Sequence, residues 1–197
     1  MKIDYGNFTL SYIDSYTYYS YLGSKALCFK ENIPYKQINN ARADYFITLS
    51  FNDQKKTATL DFLNQIQNNK INLFKAYISN LLDNSKSSGG LDYQHFNNNK
   101  FFELTTKIIG IISKYQNRFF TTCGIIFSLY FIVRNQKLYQ IMGLYILYIF
   151  IISGVSCSQG DRFHIVFFPI VIILMAKFFN EKKIGTYFFK KINEKEI

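Results

Sequence analysis

A charged pair, Asp161 and Arg162, stands directly before an apolar run that continues to Phe179. Each charged side chain would cost about 2.5–3.5 kcal/mol at the centre of a membrane helix, so charges are better tolerated at the end of such a run. A guanidinium is always charged and presents a planar fork of donors that suits phosphate oxygens. The pair therefore predicts an anionic partner for Arg162 at the mouth of the run, and Asp161 would orient Arg162 or cap the helix.

Other residues of the same run have structural interpretations. Arg162 itself could be an interface anchor that reaches lipid headgroups and holds no ligand. His164 lies about 200° around a helix from Arg162, so we expect it to have a structural role. Pro169 removes a backbone hydrogen bond, and we expect it to kink the helix and shape a cleft. Lys177, near the far end of the run, is expected to extend its charge toward the membrane surface.

Metal and cofactor chemistry finds no support in the sequence. The chain has three cysteines and two histidines, and their spacing fits neither a zinc site nor a disulfide framework. We therefore predict no metal, no cofactor and no catalytic residue, and we interpret the cysteines as small apolar side chains.

The segments that must position Arg162 divide into two parts by composition. Residues 1–117 are polar and rich in Asn and Lys, whereas residues 118–179 are mostly apolar. The net charge is +10, of which +4 comes from residues 1–117 (13 basic, 9 acidic) and +6 from the remainder (10 basic, 4 acidic). Because the excess is concentrated in the apolar part, we predict membrane lipid as a partner and no nucleic acid.

The polar part predicts a small mixed domain. Tyr, Thr, Phe and Ile in partial alternation favour strands at 7–22 and 43–51. Helical periodicity predicts a helix over 54–83 that breaks near 68–70. A further amphipathic helix, with its apolar face over 101–115, would cover the sheet or lie flat on a bilayer.

The apolar part predicts membrane-spanning helices. Three runs have nearly sufficient length, at about 119–133, 138–155 and 163–179. The predicted fold class is an α-helical integral membrane protein with about three C-terminal transmembrane helices and an N-terminal α+β exterior domain. The exterior segment, the transmembrane helices and a basic cytoplasmic tail would occupy residues 1–117, 118–180 and 181–197.

The orientation follows from the lysines and arginines beside the apolar runs. Seven of them lie in the loop 134–137 and the tail, against four on the other side, which predicts a cytoplasmic tail and an exterior segment 1–117. Residues 1–20 contain no apolar signal region. We therefore expect an upstream membrane-spanning part that delivers the exterior segment.

The order of these parts resembles the C-terminal portion of the polyprenol-phosphate-sugar-dependent membrane glycosyltransferases, of the protein mannosyltransferase and lipid A aminoarabinose transferase type. The resemblance runs from about Tyr18 to Phe179 and is carried mainly by "GDRFHIVFFPIVIILMAKF". Upstream, "TYYSYLGSKA", "LDFLNQIQNNKINLFKAYISNLL" and "CGIIFSLYFIVRNQK" are similar to the exterior segment, the following helices and a span closed by a basic loop.

The resemblance implies transfer of a sugar from a polyprenyl-phosphate donor to an exterior acceptor, in a bacterial inner membrane. It also implies that Arg162, oriented by Asp161, contacts the donor phosphate. Enzymes of this type hold the catalytic carboxylate in their first exterior loop, and no acidic pair in this chain has that context. The resemblance therefore implies a C-terminal fragment of a hexosyltransferase, inactive alone, whose partner is the upstream transmembrane half of the same enzyme.

A second hypothesis is a non-enzymatic small membrane protein with a soluble sensor or interaction domain. The coding sequence immediately upstream of Met1 would separate the two hypotheses. A reading frame there that encodes further apolar spans supports the transferase fragment, and a promoter supports the separate protein.

Overall fold

The fold is helical wherever the structure describes it, which is at residues 13–86, 100–134, 136–157 and 160–182. In this computed structural model, 87% of the described residues are helical and none lies in a strand. The helices are α1 (Ile13–Thr17), α2 (Ser24–Glu31), α3 (Ala41–Thr48), α4 (Phe51–Asn68), α5 (Lys70–Asn84), α6 (Lys100–Arg134), α7 (Lys137–Ser153) and α8 (Gly160–Glu181). A π-helical turn, Tyr18–Gly23, joins α1 to α2.

The predicted N-terminal α+β domain is wrong for the described residues. The predicted strand at 7–22 is helical over its described part, and its opening residues lie outside that part; α3 covers most of the predicted strand at 43–51. Partial alternation favoured strands, but strand preference depends strongly on the surroundings. Tyr18, Leu22 and Ala26 are buried, and their four-residue spacing is that of one helix face.

The prediction of about three transmembrane helices is also wrong. Among the described residues, one helix, α8, is long and apolar enough to cross a membrane by length and composition. The apolar part of α6 is limited to 119–133 because Arg118 and Arg134 bound it. Helix α7 has 17 residues. Each is therefore shorter than the roughly 20 residues that a spanning helix needs, whereas α8 has 22 residues.

The helix prediction over 54–83 is confirmed, including its break. Helix α4 ends at Asn68 and α5 begins at Lys70. The start of α4 is capped by Ser50, whose Oγ accepts a hydrogen bond from the Asp53 amide at 3.2 Å. Asn40 caps α3 in the same way, accepting from two amides of its first turn.

The contacts divide the chain into two compact units. Of the described residues, the first unit contains 13–84 and 152–157, and the second contains 85–86, 100–134, 136–151 and 160–182. The first unit therefore includes the segment between α7 and α8, although that segment is distant in sequence from its other helices.

The core of the first unit is aromatic and small-residue in character. The Tyr19 and Phe46 rings stack with centroids 4.6 Å apart, and the Arg42 guanidinium lies 4.0 Å from the Tyr19 ring centroid. Ala58 of α4 and Ala76 of α5 are buried against this cluster. Their small side chains let α4 and α5 approach the continuous helical segment formed by α1, the π-helical turn and α2.

The core of the second unit is formed by α6, α7 and α8. Its buried residues are Phe127, Phe131, Ile146, Phe167, Val171 and Leu174. Two glycines permit the close contacts. A Cβ atom at Gly124 would lie 2.9 Å from Val171 Cγ2, and one at Gly143 would lie 3.0 Å from the backbone oxygen of Ser128.

Candidate functional site

Arg162 lies in the first turn of α8, and its side chain is exposed. Because α8 begins at Gly160, Asp161 is inside the first turn and does not precede the helix as a cap residue. The first turn of a helix carries a partial positive charge, which favours Asp161 and adds to the positive potential around Arg162.

The contacts of His164 show which face of α8 carries Arg162. His164 is 4% exposed, its Nε2 is 3.2 Å from the Thr121 Oγ1 of α6, and its ring stacks on Phe168 with centroids 4.7 Å apart. This face of α8 therefore packs on α6, which agrees with the structural role predicted for His164. Two residues correspond to about 200° of helical rotation, so Arg162 lies on the face of α8 that points away from α6.

Pro169 does not interrupt α8, which is helical from Gly160 to Glu181. Pro169 is exposed, whereas Phe167 and Val171 on either side of it are buried. Pro169 therefore lies on the outer face of α8 and leaves the contact with α6 intact. The cleft predicted at this proline stays a prediction.

The charges at the opposite end of α8 have partners. Lys177 Nζ lies 3.3 Å from Glu181 Oε1 and 5.3 Å from the centroid of the Tyr139 ring. The Gln136 amide donates to the same Glu181 oxygen at 2.8 Å. Arg162, in contrast, forms no ion pair with a described side chain. Of the cations of α8, Arg162 is therefore the one best placed to bind an external anion.

The first unit contains a polar cluster that sequence reasoning missed. Lys25 of α2 is 7% exposed, and its Nζ donates to Asn80 Oδ1 at 3.0 Å and to Asp83 Oδ2 at 2.9 Å. The Asn80 amide in turn donates to the Gly154 carbonyl at 3.1 Å. A buried ammonium is tolerated only when paired and hydrogen-bonded, and these two partners from α5 meet that need.

Asn84, one turn beyond Asn80 on α5, also donates hydrogen bonds to the end of α7 and the residues that follow it. Its amide donates to the Ser153 carbonyl at 2.7 Å and to the Ser156 carbonyl at 2.8 Å. Asn84 is 2% exposed, so these carbonyls are paired inside the unit. The segment after α7 is therefore held in the first unit by asparagine side chains.

A cavity of about 310 Å³ adjoins this cluster. Its lining residues are Lys25, Cys28, Phe29, Ile33, Pro34, Tyr35, Ser79 and Asp83. The Tyr35 hydroxyl donates to the Ser20 carbonyl at 3.1 Å, which holds the ring as a fixed wall. Lys25 Nζ lies 5.9 Å from the centroid of that ring.

A second ion pair lies elsewhere in the first unit. Arg42 Nη2 and Asp61 Oδ2 are 2.9 Å apart, and the Tyr18 hydroxyl donates to the same carboxylate oxygen at 3.0 Å. The Gln65 amide adds a further hydrogen bond of 2.8 Å. None of these four residues lines the cavity, so this pair serves as a structural comparison for Lys25–Asp83.

One sequence signal could have revealed the missed cluster. Asn80 and Asn84 are four residues apart, and Ala76 occupies the previous turn of the same face. If this face packs against other helices, its amides need hydrogen-bond partners, because buried polar groups are almost always paired. Nothing local marked Lys25, because its partners are 55 and 58 residues away.

Nucleophilic and metal chemistry are not supported by the described residues. Burial raises the pKa of the Cys28 thiol and of the Cys157 thiol, so neither forms a thiolate readily at neutral pH. No group of three or more His, Cys, Asp or Glu side chains that could hold a metal ion occurs in the described part of the chain.

Comparison of the chain with protein-family models, with curated proteins and with solved structures gives no significant match. The glycosyltransferase resemblance therefore depends on the sequence elements quoted above.

Proposed function

We propose that this chain is the C-terminal part of an integral membrane glycosyltransferase of the bacterial inner membrane, which moves a sugar from a polyprenyl-phosphate donor to an exterior acceptor. The observation that carries the proposal is the exposed Arg162, without an ion pair to a described side chain, in the first turn of the helix that is long and apolar enough to cross a membrane. The resemblance of the segment around Arg162 to these enzymes supports the same function.

Arg162 would contact the donor phosphate, and Asp161 would orient Arg162. Charge-assisted hydrogen bonds between guanidinium and phosphate are short and frequently bidentate. The face of α8 that carries Arg162 points away from α6, so the phosphate would approach from the lipid or from another part of the enzyme. The chain would supply phosphate binding, and the catalytic carboxylate would come from the upstream half.

The exposed apolar surface of the second unit supports a non-aqueous surrounding. Large apolar side chains that are at least half exposed occur on all three of its helices and include Ile126, Leu129, Val133, Leu138, Ile141, Leu144, Ile165 and Ile172. Apolar patches of this extent mark contact with lipid or with other protein. Lipid around α8 and helices from the upstream half would cover them.

The test is donor binding by the purified chain in lipid nanodiscs. We expect a polyprenyl phosphate to bind the wild type and to bind Arg162→Gln about tenfold to 100-fold more weakly, since a hydrogen bond to a charged group contributes about 1.5–3 kcal/mol. The matched control is Arg134→Gln, which removes an exposed arginine at the other end of the packed helices and should leave the dissociation constant unchanged.

Equal binding by the wild type and Arg162→Gln would overturn the phosphate site. Sugar transfer catalysed by the chain alone, from a polyprenyl-phosphate sugar, would overturn the assignment of the catalytic carboxylate to an upstream half. Recovery of the chain in the soluble fraction after carbonate washing of membranes would contradict the integral membrane assignment.

A second candidate function is a membrane protein whose first unit is a non-enzymatic sensor or interaction domain. The observation that favours it is the separate core and cavity of that unit. Ligand binding in the cavity together with failure of polyprenyl phosphate to bind would support this alternative.

A further inference from the structure

We propose that the cavity of the first unit binds a neutral pyranose ring against the Lys25–Asp83 ion pair. The site lies entirely within the first unit and does not include Arg162. The inference therefore goes beyond the phosphate site and can fail or succeed independently of it.

The charge of the cavity excludes ions as the preferred ligands. Lys25 Nζ and Asp83 Oδ2 are 2.9 Å apart, so the two charges compensate each other. An anion drawn to Lys25 would meet the Asp83 carboxylate within about one hydrogen-bond length, and a cation drawn to Asp83 would meet the ammonium. A neutral polar ligand avoids both repulsions.

The hydrogen-bonding pattern of the pair matches two neighbouring hydroxyl groups. An ammonium has three donors, and Lys25 uses two of them on Asn80 and Asp83. The third can donate to one hydroxyl oxygen, while the Asp83 carboxylate, whose side chain is 42% exposed, accepts from the adjacent hydroxyl. A ligand with adjacent hydroxyls on a ring engages both groups at once.

The other walls of the cavity suit the apolar face of a sugar ring. Phe29, Ile33 and Pro34 give an apolar rim, and the Tyr35 ring is held in place by its hydroxyl contact with Ser20. Binding sites typically combine apolar walls with a few convergent polar groups. The volume of about 310 Å³ is at the lower end of that class, so it fits one ring and not an oligosaccharide.

The experiment uses Cys28, which lines the cavity, as a reporter of occupancy. The full chain is purified in a detergent without a sugar headgroup and alkylated slowly, and the modified cysteines are quantified by peptide mass spectrometry. The probes are methyl α-D-glucopyranoside, methyl α-D-mannopyranoside, cyclohexanol and inorganic phosphate. Cys123, in the second unit, is the internal control.

At least one pyranoside is expected to slow alkylation of Cys28 and to leave Cys123 unchanged. Lys25→Met should weaken that protection about tenfold or more, because a hydrogen bond to a charged group is lost. Arg42→Met is the matched variant: it removes the cation of the other ion pair, which has the same 2.9 Å length but does not line the cavity. We expect its protection to equal that of the wild type.

A second variant keeps the inference testable if Lys25→Met unfolds. Ser79→Phe fills the cavity from its wall and leaves the ion pair in place, and it should abolish protection by either pyranoside. Three results would each overturn the proposal. They are protection of Cys28 by phosphate alone, equal protection by cyclohexanol and the pyranosides, and no protection by either pyranoside.

Discussion

The two units of this chain stabilise their interiors in different ways. The first unit buries Lys25, Gln65, Asn69, Asn80 and Asn84 and pairs them through hydrogen bonds. The second unit packs phenylalanines and aliphatic side chains around glycine contacts and exposes further aliphatic side chains outward. Directional hydrogen bonds therefore contribute more to specificity in the first unit, and shape complementarity contributes more in the second, where Thr121 and His164 form a buried hydrogen bond.

The difference predicts which substitutions each unit tolerates. A hydrogen-bonded interior loses most stability when one partner of a hydrogen bond is removed, because the remaining buried polar group is left unsatisfied. A close-packed contact between helices loses most stability when an atom is added to it, because the neighbouring backbone must move. The following three substitutions or changes test this contrast, in order of decreasing effect.

Removing an asparagine of α5 should have the largest effect. Asn84→Ala removes the side-chain donor of the Ser156 carbonyl and one of the two side-chain donors of the Ser153 carbonyl, and we expect the free energy of unfolding of the first unit to fall by about 2–4 kcal/mol. Hydrogen exchange followed by mass spectrometry should show faster exchange in 152–157. Asn64→Ala, at an exposed position of α4, is the control, and an equal loss in both variants would refute the role of Asn84.

Adding one methyl group should affect the second unit next. Gly143→Ala brings a Cβ to 3.0 Å from the Ser128 backbone oxygen, and we expect a loss of about 1–3 kcal/mol in stability. Gly110→Ala places its Cβ where no atom lies within 4 Å, so it should stabilise α6 by up to about 1 kcal/mol through helix propensity. Thermal unfolding of the two variants should change in opposite directions. Parallel changes would show that Gly143 is not a contact point.

The smallest of the three effects should be the contribution of one buried tyrosine to the loss of stability at high pH, which concerns the first unit. Burial raises the pKa of Tyr18, Tyr19, Tyr35 and Tyr77 from the ordinary value of 10.0. Above about pH 10 the unfolded chain loses these protons while the folded unit retains them. Stability is therefore full below pH 10 and falls as the pH rises further, by at most about 1.4 kcal/mol per pH unit for each tyrosine.

Unfolding followed between pH 9 and pH 11 measures this slope. Tyr18→Phe should make the slope shallower, because it removes one of the phenols that the fold keeps protonated. An unchanged slope in Tyr18→Phe would contradict the proposed cause.

Much of the secondary structure could be predicted from local sequence. The break between α4 and α5 was predicted because three polar residues, 68–70, interrupt the apolar periodicity. At 13–22 the local pattern predicts a strand where the structure has a helix, because tyrosines in partial alternation are compatible with both. Long-range contacts favour the helix over the strand, for example the hydrogen bond between Tyr18 and Asp61, which lie 43 residues apart.

The candidate sites divide in the same way. Arg162 could be found from sequence because its signal is local, a charge beside an apolar run. The Lys25 cavity could not be found, because it forms only when α2, α5 and the loop after α2 meet. The spacing of residues within a single helix does not indicate which other segments that helix will contact.

Hydropathy and charge are properties of consecutive residues, so α8 could be recognised from sequence as a long apolar helix with an arginine at its start. The return of residues 152–157 to the first unit and the pairing of Lys25 with Asn80 and Asp83 follow from the packing of the helices. A buried ammonium or carbonyl needs a partner, and the distant residue that supplies it is fixed only when the helices pack.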